Sequence, residues 1–217
     1  VKRFSEKQLK CMKSLKTKID ENELGHKIIP LEKVGCYIPG GNYPLLSSAI
    51  MTITPAKVAG VKEVVACSPK IQPETIVACD LSGANRIYRV GGAQAISALA
   101  YGTQSILKVD KIVGPGNKYV TAAKKYVFGE VGIDFLAGPS EVMIIADETA
   151  NAEFVSADML AQCEHDLDAR AFLICMSSDF ANQVEEFAQK QLQSLSTKEI
   201  ASKSFDKSYA IVVKSLD

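Results

Sequence analysis

The sequence predicts an α/β protein built on open parallel sheets with helices packed on both faces. Three observations predict it. Short runs rich in valine and isoleucine alternate with helical stretches along the chain, a repeated βα rhythm. The runs are apolar throughout rather than alternating, as strands covered on both faces are. The helical stretches follow at spacings that fit right-handed crossovers.

Taken in order, residues 5–21 place Leu9, Met12, Leu15 and Ile19 at helical spacing with lysines between them. A basic amphipathic helix of this kind can bind membranes or partners, but its apolar face lacks aromatics beyond Phe4, so it reads as a solvated outer helix. Strands are then predicted at 34–38, 63–68, 86–90 and 111–113, each followed by a helix: 45–59, 73–82, on to 101, and on to 128. A further strand at 141–146 leads to the helix of "DMLAQCEHD", and one at 171–176 leads to a helix over 179–195 and a last run at 209–213. "GIDFLAGPSEV" looks like a crossing segment between sheets. A boundary near 139 is therefore expected, with 33–139 as one lobe and 1–32 joined to 140–217 as the second.

Composition narrows the function classes. Twenty-five basic and 25 acidic residues give a net charge of zero, which offers no electrostatic reason to expect nucleic acid or an anionic membrane. No apolar run reaches bilayer-spanning length, and the polar opening "VKRFSEKQLK" does not read as a leader. Six cysteines at 11, 36, 67, 79, 163 and 175 contain no CxxC pair. That scatter argues against a zinc knot or a disulfide scaffold and suits a reducing cytoplasm. The chain opens at Val1 without an initiator methionine and stops just after a run that reads as a buried strand, so a longer parent protein is expected.

Three βα junctions of the first lobe carry glycine and an uncharged polar side chain: "YIPGGN", "VGGAQ" and "VGPGN". In an open α/β sheet such junctions lie at the carboxyl edge, where ligands bind. Glycine permits close backbone approach there, and the first amides of the following helix suit a phosphate. The usual dinucleotide fingerprint is absent: no GxGxxG opens a helix, and the strand ending in Ser68-Pro69-Lys70 has no acidic residue for ribose hydroxyls. Pattern alone therefore describes an atypical nucleotide-binding α/β protein.

The stretch "DMLAQCEHD" sets Asp158, Gln162 and His165 within roughly 40–60° of one another on a helix, converging an acid, an amide and an imidazole on one patch. Blander readings stand beside this one. A lone histidine near a helix end is usually structural, helped by the helix dipole. His26 sits in a turn-like "ELGHKI" and has no assigned role, the cysteines read as core fillers, and Ser140 after Gly-Pro can simply cap a turn.

The segments "PLEKVGCYIPGG", "PAKVAGVKEVV", "VGGAQAISALAYGT", "VDKIVGPGNKYV", "DFLAGPSEVMIIAD" and "DMLAQCEHD" together resemble histidinol dehydrogenases, from about residue 30 to 176. The resemblance implies two related, incomplete Rossmann-like domains and a zinc-dependent homodimer. The implied reaction is oxidation of L-histidinol to L-histidine through an aldehyde, with two NAD⁺. By motif, it implies that Tyr37, Gln94 and Asn117 contact NAD. Ser140 would bind substrate, and Gln162 and His165 would bind both zinc and substrate. Zinc takes imidazole nitrogen readily and a neutral amide oxygen less often; an amide adds no negative charge and leaves the metal a stronger Lewis acid. Residues i and i+3 of a helix can reach one ion.

Asp158, one turn back, suits either support of a ligand or a surface or capping role, and Glu164 reads as a structural hydrogen-bond partner. Cys163 stands where the resemblance leads one to expect a small residue such as alanine. The family's other zinc ligands, and its Glu-His pair for proton transfer, belong to a carboxyl-terminal portion outside this sequence, so the chain alone is expected to be inactive. Two rivals remain: an aldehyde dehydrogenase-like enzyme with Cys163 or Cys36 as nucleophile, and a non-catalytic nucleotide-binding module.

Overall fold

The computed structural model describes residues 1–40, 45–136 and 140–216. Gly41 and Asn42 of the "YIPGGN" loop and the Ala-Gly-Pro of "AGPSE" lie outside the described residues. The chain divides into two units, Val1–Gly138 and Pro139–Asp217.

The first unit opens differently from the expected single helix over 5–21. Helix α1 covers only Lys2–Cys11, and an antiparallel hairpin follows, β1 (Leu15–Ile19) with β2 (Asn22–His26). The pairing Ile19↔Asn22 leaves Asp20 and Glu21 as a two-residue turn, and Asp20 takes the left-handed φ of 54° that such turns use. Lysines 16 and 18 alternate with Leu15, Thr17 and Ile19, and Lys16 pairs with Glu23 across the ladder, so period two wins over period 3.6. His26 ends β2 with Nε2 at 2.9 Å from the Lys13 carbonyl.

Residues 1–32, expected with the second lobe, group with the first unit. The physical reason is local: α1 packs against α2 (Leu46–Val58), and the Asp110 carboxylate accepts the amides of Glu32 and Lys33 at 3.1 and 2.7 Å.

The unit's main sheet runs in the order β5-β4-β3-β6-β7 and is parallel throughout. Its strands are β3 (Lys33–Tyr37), β4 (Glu63–Cys67), β5 (Arg86–Tyr88), β6 (Lys111–Val113) and the two-residue β7 (Gly132–Ile133), which the sequence did not announce. On one face Val34, Cys36, Ile38, Val64 and Ala66 pack with α2 and α3 (Pro73–Ser82). On the other, Tyr37, Val65, Cys67 and Ile112 pack with α4 (Gly92–Tyr101) and α5 (Lys118–Val127). Period-two alternation thus supplies two cores from one set of strands. Ile53, Leu99 and Ile112 are fully buried, and each such side chain contributes roughly 1.5–3 kcal/mol.

The second unit is a three-stranded parallel sheet in the order β10-β9-β8: β8 (Glu141–Ile145), β9 (Arg170–Cys175) and β10 (Tyr209–Val212). One face carries Val142, Ile144, Ala171, Leu173 and Cys175. It packs with α6 (Ala152–Cys163), α7 (Ser178–Ser194) and α8 (Lys198–Phe205), the last not expected from the sequence. Met143, Ile145, Tyr209 and Ile211 on the opposite face are 45% to 62% exposed, and the rings of Phe172 and Tyr209 stack there with centroids 6.2 Å apart.

Candidate functional site

In the first unit the chain steps outward from β3 through β4 to β5, then crosses back to β6 on the far side of β3. The reversal lies between the carboxyl ends of β3 and β6, the place where open α/β sheets bind ligands. Tyr37 is the last residue of β3. Gly35 and Tyr37 share a face, so the phenol ring enters the α4/α5 core and the residue is only 3% exposed. Its hydroxyl accepts the Gly92 amide at 3.0 Å, and burial pushes the phenol's pKa up against the pull of that bond. Its backbone carbonyl is pressed against Gly114, where a Cβ would overlap the carbonyl oxygen; Gly114 has φ 114°. Tyr37 therefore ties the "VGGAQ" loop through its side chain and the "VGPGN" loop through its backbone. What remains for a ligand is the hydroxyl hydrogen.

Gln94 is exposed in the first turn of α4, a helix that begins at Gly91 without a side-chain cap. Its Oε1 lies over Gly92, 2.8 Å from where a Cβ would sit. Asn117 is exposed and caps α5: its Oδ1 accepts the amides of Tyr119 and Val120 at 3.1 and 3.2 Å. The cap uses the oxygen and leaves Nδ2 as the group that can meet a ligand.

In the second unit α6 is capped by Asn151 and ends at Cys163, with Glu164 as its C-cap. Asp158 and Gln162 lie on the helix, both one turn apart as the sequence suggested. His165 does not: it follows the helix in a turn whose amide donates to the Gln162 carbonyl at 3.2 Å. The helix stops here because the backbone turns toward Asp166–Arg170 and β9. Gln162 Nε2 donates to the Ser140 carbonyl at 2.9 Å, which leaves Oε1 uncommitted among the described residues. Ser140, Asp158 and His165 are exposed, and the His165 ring makes no hydrogen bond among the described residues. Gln162 and His165 thus each keep one atom with a free lone pair among the described residues, an amide oxygen and a ring nitrogen. Among the described residues no group of three or more His, Cys, Asp or Glu could hold a metal.

Neither candidate cysteine is placed to attack a carbonyl. Cys36 is fully buried and its thiol is pushed up from 9.0 to about 12 by burial. Cys163 is fully buried with Sγ 3.7 Å from the Ser208 hydroxyl. A cavity of about 370 Å³ lined by Lys108, Asp110, Phe128 and Glu130 lies at the amino end of β6 and β7, the edge away from the glycine loops. Among the described residues no helix is long and apolar enough to cross a membrane. The organising role of Tyr37 was not expected from the sequence; its only sign there is its inward parity with Gly35.

Parallel sheets of this order, with glycine loops gathered at the reversal point, define a two-lobed α/β protein of Rossmann-like architecture. More narrowly, the chain belongs to the histidinol dehydrogenase family, whose model matches residues 1–217. It is 55% identical over 184 residues to the histidinol dehydrogenase of Aquifex aeolicus, covering 85% of this chain and 43% of that protein. The crystal structure of histidinol dehydrogenase from Elizabethkingia anophelis superposes with a TM-score of 0.93 at 40% identity, covering 100% of this chain and 51% of that one. A salicylaldehyde dehydrogenase from Pseudomonas putida G7 shares the fold at a TM-score of 0.60 and 16% identity, covering 90% of this chain and 43% of that one. The chain spans about half the length of the relatives it matches.

Proposed function

We propose that this chain is the NAD⁺-binding portion, with half of the metal and substrate site, of a zinc-dependent histidinol dehydrogenase. The parent is a cytoplasmic homodimer of histidine biosynthesis that oxidises L-histidinol to L-histidine through an aldehyde, one hydride passing to NAD⁺ at each step. The observation that carries this reading is the family match over the whole chain, together with a Gln162 oxygen and a His165 ring both left uncommitted at one turn.

Tyr37, Gln94 and Asn117 serve the dinucleotide: Asn117 through Nδ2, Gln94 through its exposed amide, and Tyr37 chiefly by holding two loops in place. Gln162 and His165 would hold the zinc, whose Lewis acidity would anchor the amine and imidazole of histidinol. Ser140 presents its exposed hydroxyl to the substrate while its carbonyl steadies Gln162. General acid–base work needs a group within hydrogen-bond reach of the proton. His26 is held at the Lys13 carbonyl and His165 is assigned to the metal, so this chain supplies no proton-transfer pair and does not turn over unaided.

Isothermal titration with Zn²⁺, NAD⁺ and L-histidinol tests the reading on the wild-type chain, His165→Ala and Asn117→Asp. The expected result is NAD⁺ binding by the wild type, loss of Zn²⁺ binding in His165→Ala, and weakened NAD⁺ binding in Asn117→Asp without loss of thermal stability, since aspartate still caps α5. NAD⁺ binding with Zn²⁺ indifferent to His165 would instead describe a plain nucleotide-binding module. Turnover by this chain close to that of a complete enzyme would refute the assignment of the proton-transfer groups to the other half.

A further inference from the structure

We propose that Lys124 and Asp134 are positioning residues for the Gly114–Asn117 turn, fixing the backbone from which Asn117 meets the dinucleotide. The inference rests on the NAD⁺ reading above and adds two residues to it.

Lys124 lies on α5 seven residues after the Asn117 cap and is only 3% exposed. Its Nζ donates to the Gly114 carbonyl at 3.0 Å and pairs with Asp134 Oδ1. The other oxygen of the same carboxylate, Oδ2, accepts the Gly114 amide at 2.8 Å. One ion pair therefore holds both polar groups of a single backbone residue, the cation on its carbonyl and the anion on its amide. Asp134 is itself anchored at the end of β7, its amide donating to the Ile112 carbonyl at 3.2 Å. Lys124 also lies over the Phe135 ring, 5.7 Å from its centroid.

Stability alone does not call for this arrangement. Burying an ion pair costs several kcal/mol per ion, and well-packed apolar residues of similar volume often serve equally well. What an apolar pair cannot do is engage the amide and carbonyl of Gly114. That residue is the one pressed against the Tyr37 carbonyl, with no room for a Cβ. The turn is thus located from three sides: Tyr37 beneath, Asp134 at the amide and Lys124 at the carbonyl. Asn117 follows three residues later with its side-chain oxygen already spent on the helix cap. The direction of its remaining amide group is set by where the turn sits.

The test compares the wild-type chain with the double variant Lys124→Met/Asp134→Leu, which removes both charges at similar volume, and with Asp134→Asn. The readouts are thermal melting, hydrogen exchange at the Gly114 amide by NMR, and NAD⁺ titration. The double variant is expected to melt several degrees below the wild type, because the Gly114 amide and carbonyl lose their partners, and its Gly114 amide is expected to exchange about a hundredfold faster. Its NAD⁺ affinity is expected to be about tenfold weaker, with Asp134→Asn in between. Should the double variant fail to fold, the wild type alone still decides: saturating NAD⁺ must slow exchange at Gly114 and leave Gly129 unchanged. Unaltered NAD⁺ affinity in a folded double variant with a deprotected Gly114, or no slowing at Gly114 in the wild type, overturns the proposal and leaves the NAD⁺ site standing. A wild type that does not bind NAD⁺ brings down the site reading first and this inference with it.

Discussion

The side-chain amide of Gln162 donates to the backbone carbonyl of Ser140 across 2.9 Å, and the Ser140 hydroxyl takes no part in the bond. The two residues therefore separate cleanly by substitution. Ser140→Ala leaves Gln162 where it is, so Zn²⁺ affinity stays within about twofold while histidinol binding weakens by about tenfold, the worth of one polar contact. Gln162→Ala removes a donor and weakens both. Calorimetric titration of the two variants with metal and then substrate checks the difference; equal loss of Zn²⁺ binding in both would disprove the division of roles.

Tyr37→Phe keeps the ring in the α4/α5 core and strips the acceptor from the Gly92 amide. The amide is part-buried, so the loss costs about 1–3 kcal/mol. Urea melts of the variant should show a lower midpoint at an unchanged slope, with NAD⁺ binding weakened as the "VGGAQ" loop loosens.

Gly114 and Gly129 offer a matched pair, with φ 114° and 104° respectively. Nothing lies within 4 Å of a Cβ built at Gly129, whereas one at Gly114 meets the Tyr37 carbonyl. Gly129→Ala should cost about 1–2 kcal/mol, from backbone strain alone. Gly114→Ala should cost well beyond that or prevent folding. Thermal melts of the two variants, side by side, make the comparison.

Three thiols of the first unit are held protonated by burial: Cys36 and Cys67 pushed up from 9.0 to about 12, and Cys79 to about 11. In the unfolded chain they ionise near 9.0, so above that pH the unfolded state releases protons the folded state keeps. Their contribution is complete below pH 9 and falls as pH rises toward 11–12, by up to about 1.4 kcal/mol per pH unit for each thiol. Stability measured in urea at pH 8 and pH 10 should drop accordingly, and Cys67→Ala should shallow the slope. At pH 8 a thiol reagent should titrate the exposed Cys11 and leave the five buried cysteines untouched until urea is added.

The βα rhythm was legible because apolar runs and helical periods follow one another with glycine between them. Every strand and helix expected from residue 33 to 176 is present, within a few residues of its expected ends. The amino-terminal hairpin was not legible, because Leu15 and Ile19 satisfy a helical spacing as well as a strand alternation and the Asp20-Glu21 turn carries no glycine. The place of His165 was misjudged for a related reason: "AQCEHD" contains no strong stop signal, yet α6 ends at Cys163. Asn117 was expected to contact NAD, and its part as the cap of α5 was not read from the sequence. The Lys124–Asp134 pair was invisible, since ten residues and a helix end separate two ordinary charged side chains until β7 brings them together.

The uncovered side of the second unit's sheet has a practical meaning. Met143, Ile145, Ile211 and the Phe172–Tyr209 stack form a greasy strip facing water, bordered by the outer strands β8 and β10. A polarity-sensitive dye should brighten on this chain before any denaturant is added, and ammonium sulfate should salt it out early. Concentrated solutions of the chain are expected to self-associate through that strip, whatever the firmness of either core.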